Sequence, residues 1–255
     1  MCKTVIASAL IAACATALPT VVRAADEPPP EHTFTSNVTL ASEYIYRGIG
    51  QTNRKPAVQG GFDYAHSSGF YLGTWASNIS WLSDVPPNAD GKTNSSSLEW
   101  DFYGGFKGSA GDFGYDVGLL QYYYPGKFMP GTNSPNTLEG YVAGTWSFLT
   151  LKYSHSFSDL FGWTDSKNSG YLDLTATYEV VPSVNLIGHV GRQKIHGDNS
   201  GASYTDYKLG VTKDFSGTVV GLSYINTNAS SAWYTNAFGK DLGKDRVVLS
   251  VTRTF

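Results

Sequence analysis

Cysteine is nearly absent from this 255-residue chain, which has two, Cys2 and Cys14. Both fall in an N-terminal leader, so neither a disulfide-stapled scaffold nor a thiolate metal site is available to the remainder. Charge is sparse as well: Asp, Glu, Lys and Arg make up 15% of residues, and 18 basic ones face 21 acidic ones. Without a basic surplus, nucleic acid is excluded as an expected partner. Beyond the leader no run of about 20 apolar residues occurs, so no transmembrane helix is expected. Amphipathic helical periodicity is missing too. What is plentiful is Gly (28), Tyr (17) and Phe (13).

The leader reads as an export signal. Met1-Cys2-Lys3 is a short positive start, VIASALIAA (Val5 to Ala13) is an apolar run too short to span a bilayer, and Val22-Arg23-Ala24 is a small-x-small cleavage pattern. Residues 1–24 are therefore expected to be a signal peptide cleaved after Ala24. The alternative is a lipoprotein signal at Ile11-Ala12-Ala13-Cys14, which would retain Cys14. Cleavage after Ala24 takes Lys3 and Arg23 from the 18 basic residues, leaving 16 against 21 acidic ones and a net charge near −5. Residues 25–32, beginning ADEPPPE, read as a flexible lead-in, and 33–255 as one β domain.

Period-2 alternation recurs along that domain. In LEWDFYGGFK (Leu98 to Lys107), Leu98, Trp100, Phe102 and Phe106 share one face, and Glu99, Asp101, Tyr103 and Lys107 the other. Twelve such segments are expected: 33–45, 56–66, 69–79, 96–107, 111–123, 137–147, 148–157, 169–180, 183–193, 203–214, 216–226 and 245–255. In the third, Phe70 and Leu72 compete with Tyr71, Trp75 and Ile79 to be the apolar face. Connections after even-numbered segments are short, such as His66-Ser67-Ser68, Gly108-Ser109-Ala110 and Val181-Pro182, whereas those after odd ones are long, such as Ser80 to Ser95. The expected fold is all-β: a transmembrane antiparallel up-and-down β-barrel of about 12 strands, with short periplasmic turns and long extracellular loops. A soluble barrel would turn the apolar face inward, and twelve strands of inward aromatics would pack poorly. Aromatics at strand ends, among them Tyr44, Tyr64, Phe106, Phe113, Trp146, Tyr178, Tyr207, Tyr224 and Phe255, fit interfacial girdles.

SEYIYRGIGQT (Ser42 to Thr52), KPAVQGGFDY (Lys55 to Tyr64) and GFYLGTWASN (Gly69 to Asn78) together resemble the signature of the TorF family of bacterial outer-membrane porins. The resemblance covers about Asn37 to Asn78, and beyond it extends to strand rhythm, length and the terminal Phe255. It implies an outer-membrane pore in a Gram-negative bacterium and supplies no functional residues to carry over. Phe255, Val251, Leu249 and Val247 fit the usual C-terminal signal for the barrel-assembly machinery, while Arg253 stands where an apolar residue is usual and would snorkel at the rim.

Lumen parity assigns Glu43, Asp63, Glu99, Asp101, Asp116, Glu139, Asp173, Glu179 and Asp206 to the interior, against Lys107, Lys152 and Lys208. Of these, Glu99, Asp101, Asp116, Glu139, Lys152, Asp173, Glu179, Asp206 and Lys208 are the pore-lining candidates. Acidic rings favour cations; the competing reading is that these carboxylates pair with lysines and tyrosines such as Tyr103, Tyr122 and Tyr141 and seal the interior. The basic, Gly-rich RGIGQTNRKP does not open a helix after a buried strand, so it reads as a strand connection and not a phosphate loop. Its Arg47, Arg54 and Lys55 are placed at the outer rim, bracing the mouth, meeting lipopolysaccharide phosphates or steering anions. Asp84, Asn88 and Asp90 do not match a calcium loop and read as a turn. The four Asn-x-Ser/Thr matches, at Asn37, Asn78, Asn94 and Asn228, read as chance in a bacterial export context. His155 cannot meet Ser154 or Ser156 within a strand, so a hydrolase would need His66, His189 or His196 to find a partner in space.

The expected function is passive diffusion of ions or small polar solutes across the bacterial outer membrane, with a weak cation preference, no enzyme activity, no cofactor and no metal. The expected surroundings are outer-membrane lipid and lipopolysaccharide. A plugged structural or surface-interaction barrel, motivated by DLFGW (Asp159 to Trp163) and Ala232-Trp233-Tyr234, is the alternative, and an outer-membrane hydrolase the remote third.

Overall fold

The computed structural model describes residues 30–255, so the expected signal peptide and most of the lead-in lie outside the described residues. The chain starts with β1 (His32–Ala41), then two very short strands, β2 (Ile45–Tyr46) and β3 (Ile49–Gly50), before β4 (Ala57–His66) and β5 (Phe70–Asn78). Next come β6 (Leu98–Ala110), β7 (Phe113–Tyr123), β8 (Thr137–Trp146), β9 (Leu149–Ser156) and β10 (Gly170–Val181). The last are β11 (Val184–Lys194), β12 (Tyr204–Asp214), β13 (Thr218–Thr227) and β14 (Arg246–Thr254). All but β2 and β3 join neighbour to neighbour in one closed antiparallel barrel of 12 strands, and β2 pairs only with β3. Closure leaves no unpaired edge, which a membrane wall requires.

The seam is β1 against β14, in register from Asn37↔Thr254 to Ala41↔Ser250. Phe255 extends it: its N–H donates to Ser36 O (2.8 Å), and Ser36 N–H returns the bond to Phe255 O (3.1 Å). Deleting Phe255 removes both bonds and the terminal aromatic. The expected result is a markedly lower yield of folded barrel, read as loss of the heat-modifiable band on a gel.

Alternation separates two faces. Val38, Leu40, Phe62, Leu72, Val117 and Leu209 are exposed on the outside, together with the end-of-strand aromatics Trp146, Tyr178, Tyr207, Tyr224 and Phe255. Their neighbours in sequence point inward, including the charged ones. In β5 the competition resolves with Phe70 and Leu72 outward and Tyr71 and Trp75 buried within. Arg253 reaches the β12–β13 turn, where Nη1 donates to Ser216 O (2.8 Å) and Thr218 Oγ1 (3.1 Å). A cation on the outer face is thereby satisfied by backbone at the rim.

Two boundaries differ from expectation. β6 runs through Ala110, so the turn into β7 sits at Gly111-Asp112 and not at Gly108–Ala110. More consequentially, β1 stops at Ala41, where the first expected segment ran to 45. Ser42 still bonds Leu249 (N–H to O, 2.8 Å), and the chain then turns inward. Tyr44 and Tyr46 keep the period of an outward strand but are 2% and 9% exposed. Tyr44 therefore belongs to the interior and not to an aromatic girdle.

Candidate functional site

β2 and β3 form a minimal hairpin, paired Ile45↔Gly50 and Tyr46↔Ile49, with Arg47-Gly48 as its two-residue tip. Both tip residues have positive φ, 45° and 78°. That pair of angles marks the tight primed turn whose twist suits a hairpin. Glycine takes such a conformation freely, whereas arginine must be held there by its surroundings.

Arg47 is held from the barrel wall. Its Nη2 lies 2.6 Å from Glu139 Oε2, and Nη1 donates to Glu139 Oε1 (3.0 Å) and Gln193 Oε1 (2.9 Å). Glu139 belongs to β8 and Gln193 to β11, on well-separated parts of the wall. The guanidinium also sits over the rings of Tyr46 (4.8 Å) and, from β10, Tyr171 (4.4 Å). The Arg47 and Glu139 side chains are only 4% and 3% exposed. Burial opposes the Arg47 charge, but the Glu139 carboxylate overrides it and holds the guanidinium above its ordinary range. This is a forked, desolvated pair, in which removing either partner strands a buried charge.

Other anchors surround it. Tyr44 donates to Glu99 Oε1 on β6 (2.8 Å), and Tyr46 meets the Tyr122 hydroxyl on β7 (2.6 Å). Arg246 on β14 donates to Glu43 Oε1 (2.7 Å), and Gly50 N–H bonds Leu242 O (2.9 Å). Gly48 packs against Asp206 of β12 and Thr227 of β13. The segment 42–56 thus touches wall strands around most of the circumference near the long-loop end. It lies inside the barrel.

Arg47 is therefore not a rim residue. Arg54 and Lys55 stay exposed near the mouth: Arg54 N–H donates to Glu43 Oε1 (3.1 Å), and Lys55 N–H to Thr52 O (3.0 Å). Of the lumen candidates, Glu99, Asp101 and Glu139 are buried at the level of the hairpin, with Tyr124 also donating to Glu99 (3.1 Å) and Tyr122 to Glu139 (3.3 Å). Asp116 takes a bond from Tyr71 (2.6 Å) and Asp63 one from Tyr103 (2.6 Å). Lys152 lies 3.8 Å over the Tyr141 ring. Asp206 accepts from Tyr171 (2.9 Å) and lies 2.8 Å from His189 Nε2, while Asp173 lies 3.3 Å from His189 Nδ1. Lys208 stands opposite His189 in the β11–β12 ladder. Glu179 is the exception: it is exposed at the short-turn end, and its Oε1 accepts the Ser183 N–H (2.8 Å), closing the turn after β10.

Among the described residues, the contacts of His189, His155 and His66 do not assemble a nucleophile and base. His189 has its nitrogens on Asp206, Asp173, Thr175 and Tyr171, and His155 lies between Tyr153 and Phe157. His66 Nδ1 meets Ser68 Oγ (2.7 Å), but the Ser68 N–H also donates into that nitrogen (3.1 Å), which marks an exposed turn. The ligand atoms of His66, His32 and Glu31 lie within 4.8 Å of one another at this end, all near the surface. Since His66 Nδ1 is an acceptor, its Nε2 carries the proton and is not poised as a ligand. Asn88 closes its own loop by accepting Asp90 and Lys92 N–H groups, while Asp84 accepts from Ser80 (2.7 Å).

A family profile described as "Bacterial protein of unknown function (Gcw_chp)" matches residues 25–255. The chain belongs to the Gcw_chp family. No curated protein sequence matches it. Among solved structures, the KdgM porin in complex with disordered oligogalacturonate superposes with a TM-score of 0.51 at 8% identity, covering 87% of this chain and 98% of that one. The COG4313 outer-membrane channel from Pseudomonas putida F1 gives 0.50 at 13%, covering 92% and 100%. The NanC porin gives 0.50 at 9%, covering 88% and 99%. At such identities the likeness is one of fold, and the fold this Gcw_chp chain shares is that of porins and channels.

Proposed function

We propose that this Gcw_chp protein is an outer-membrane channel for ions and small polar solutes in which the inserted β2–β3 hairpin sets the passage. One observation carries the reading: a hairpin seated across the lumen and fastened by a buried Arg47–Glu139 pair. The apolar exterior with its aromatic ends supports the membrane setting, as does the porin fold of its structural neighbours. The stretch from Asn37 to Asn78 that resembles the TorF porins includes this hairpin. No step in the reading breaks or makes a bond. Exposed Arg54 and Lys55 would meet lipopolysaccharide phosphates, and Phe255 the barrel-assembly machinery.

Carboxylates outnumber cations on the inward face, so passage is expected to favour cations. In planar bilayers under a KCl gradient, the reversal potential should lie on the cation side and move toward zero in Asp116→Asn. A reversal potential on the anion side would overturn the preference while leaving the channel intact.

A second reading is a plugged barrel that conducts nothing and serves its surface loops. The nearly complete burial of Arg47 and Glu139 favours it. It predicts no discrete currents from the wild type or from variants that free the hairpin.

A further inference from the structure

Above the hairpin, at the long-loop end, lies a half-open chamber of about 410 Å³. Its floor is Tyr46, Ile49, Gly50 and Gln51, and its walls carry Trp81, Tyr124, Trp163, Tyr204, Trp233 and Tyr234. The aromatics form two groups: Trp163 lies 5.6 Å from Trp233 and 6.3 Å from Tyr234, which lies 5.2 Å from Tyr204, while Trp81 and Tyr124 pair separately at 5.6 Å. A chamber of this size, largely apolar with few polar groups, suits a small organic molecule.

The chemistry of the lining narrows the class. Asp84 is the lining residue that carries a formal charge, and neither Lys nor Arg lines the chamber. Anions therefore find no cationic side chain in the lining. A polyol would need several free hydrogen-bonding side chains; Trp81 Nε1 is an unpartnered donor, but the amides are largely engaged. Gln193 accepts from Arg47 and donates to Gly170 O (3.1 Å). Asn236 accepts the N–H groups of Phe238 and Lys240 and donates to Asn53 (3.1 Å), and Gln51 donates to Ile49 O (2.9 Å). Aromatic faces beside a single carboxylate attract an organic cation whose apolar body is desolvated and whose charge is shared among ring faces. The barrel already holds its own cations this way, with Arg47 over Tyr46 and Tyr171 and Lys152 over Tyr141.

We propose that this chamber is a binding site for small organic cations of the quaternary-ammonium class, with Trp163, Trp233 and Tyr234 supplying ring faces and Asp84 the counter-charge. The site stands whether or not the barrel conducts, because it lies above the hairpin and opens at the mouth.

The test is calorimetric titration of the full chain in a maltoside detergent, with choline, with its neutral isostere 3,3-dimethyl-1-butanol, and with glucose. Choline is expected to bind at least about tenfold more tightly than the isostere, and glucose not at all. Asp84→Asn should weaken choline about fivefold and Trp233→Ala about threefold, each the loss of one partner of the cation. Trp233 is exposed in the one-turn helix Ser231–Tyr234 between β13 and β14, outside the barrel wall, so its variant retains the barrel, checked by heat-modifiable mobility. Equal binding of choline and the isostere, tighter binding of glucose, or no choline binding would each overturn the proposal. No current is measured, so a failure here is distinct from a failure of the channel reading.

Discussion

Arg47→Ala is expected to raise the conductance of the barrel while leaving it folded. The substitution strands Glu139, 3% exposed, without its counter-charge and removes the bond to Gln193. Breaking one side of a buried pair costs about 3–5 kcal/mol. The penalty falls on the seated state of the hairpin, since an expelled hairpin lets Glu139 rehydrate. A change of that size shifts the balance between seated and released forms by a hundredfold or more. The barrel's own ladders do not pass through Arg47, so heat-modifiable mobility should persist. In single-channel recordings the variant should show larger and noisier steps than the wild type, with a reversal potential moved further toward cations. Replacing both partners with apolar residues, Arg47→Met with Glu139→Leu, leaves no stranded charge and should return conductance most of the way to wild type. Wild-type currents from Arg47→Ala would contradict the anchoring role.

Gly48→Ala should open the same passage by a different route. The residue has φ +78°, and an added Cβ would collide with Thr227 Cγ2 and lie 2.6 Å from Asp206 Cβ. A left-handed alanine costs about 1–2 kcal/mol before the collision is counted. Together these exceed what one tenfold shift in occupancy requires. The expected result is a roughly tenfold gain in the time spent in the larger conductance state. Release carries Arg47 away from Glu139, so the reversal potential of the larger state should also move toward cations, but by less than in Arg47→Ala, because the cation itself is kept. The size of the selectivity shift, small in Gly48→Ala and larger in Arg47→Ala, separates sterics from electrostatics at adjacent residues. Loss of folding in Gly48→Ala would place the hairpin in the barrel's assembly instead of its passage.

The barrel was legible because its signal is local and repeated. Alternation such as Leu98-Glu99-Trp100-Asp101 assigns faces without knowledge of any partner strand, and the contrast between Val181-Pro182 and Ser80 to Ser95 orders the ends. The hairpin was not legible for a physical reason. Tyr44 and Tyr46 alternate as a lipid-facing strand does, since a strand buried in a lumen and one facing lipid share period 2. What distinguishes them is a partner 92 residues away, Glu139, whose parity says only that it points inward. Arg47-Gly48 between Ile45-Tyr46 and Ile49-Gly50 is a two-residue turn between apolar pairs, and that was the available signal. Glu179 was misplaced for a simpler reason. Parity gives a residue's face and not its depth, and its carboxylate lies at the turn.

The most direct measurement is single-channel conductance in planar bilayers of the wild type beside a variant in which residues 45–50 are replaced by a short Gly-Ser bridge. Both proteins are first shown to be folded by heat-modifiable mobility. If the hairpin sets the passage, the wild type gives small steps and the bridged variant gives uniform steps several times larger. Steps of equal size in the two proteins, or none in either, would contradict it.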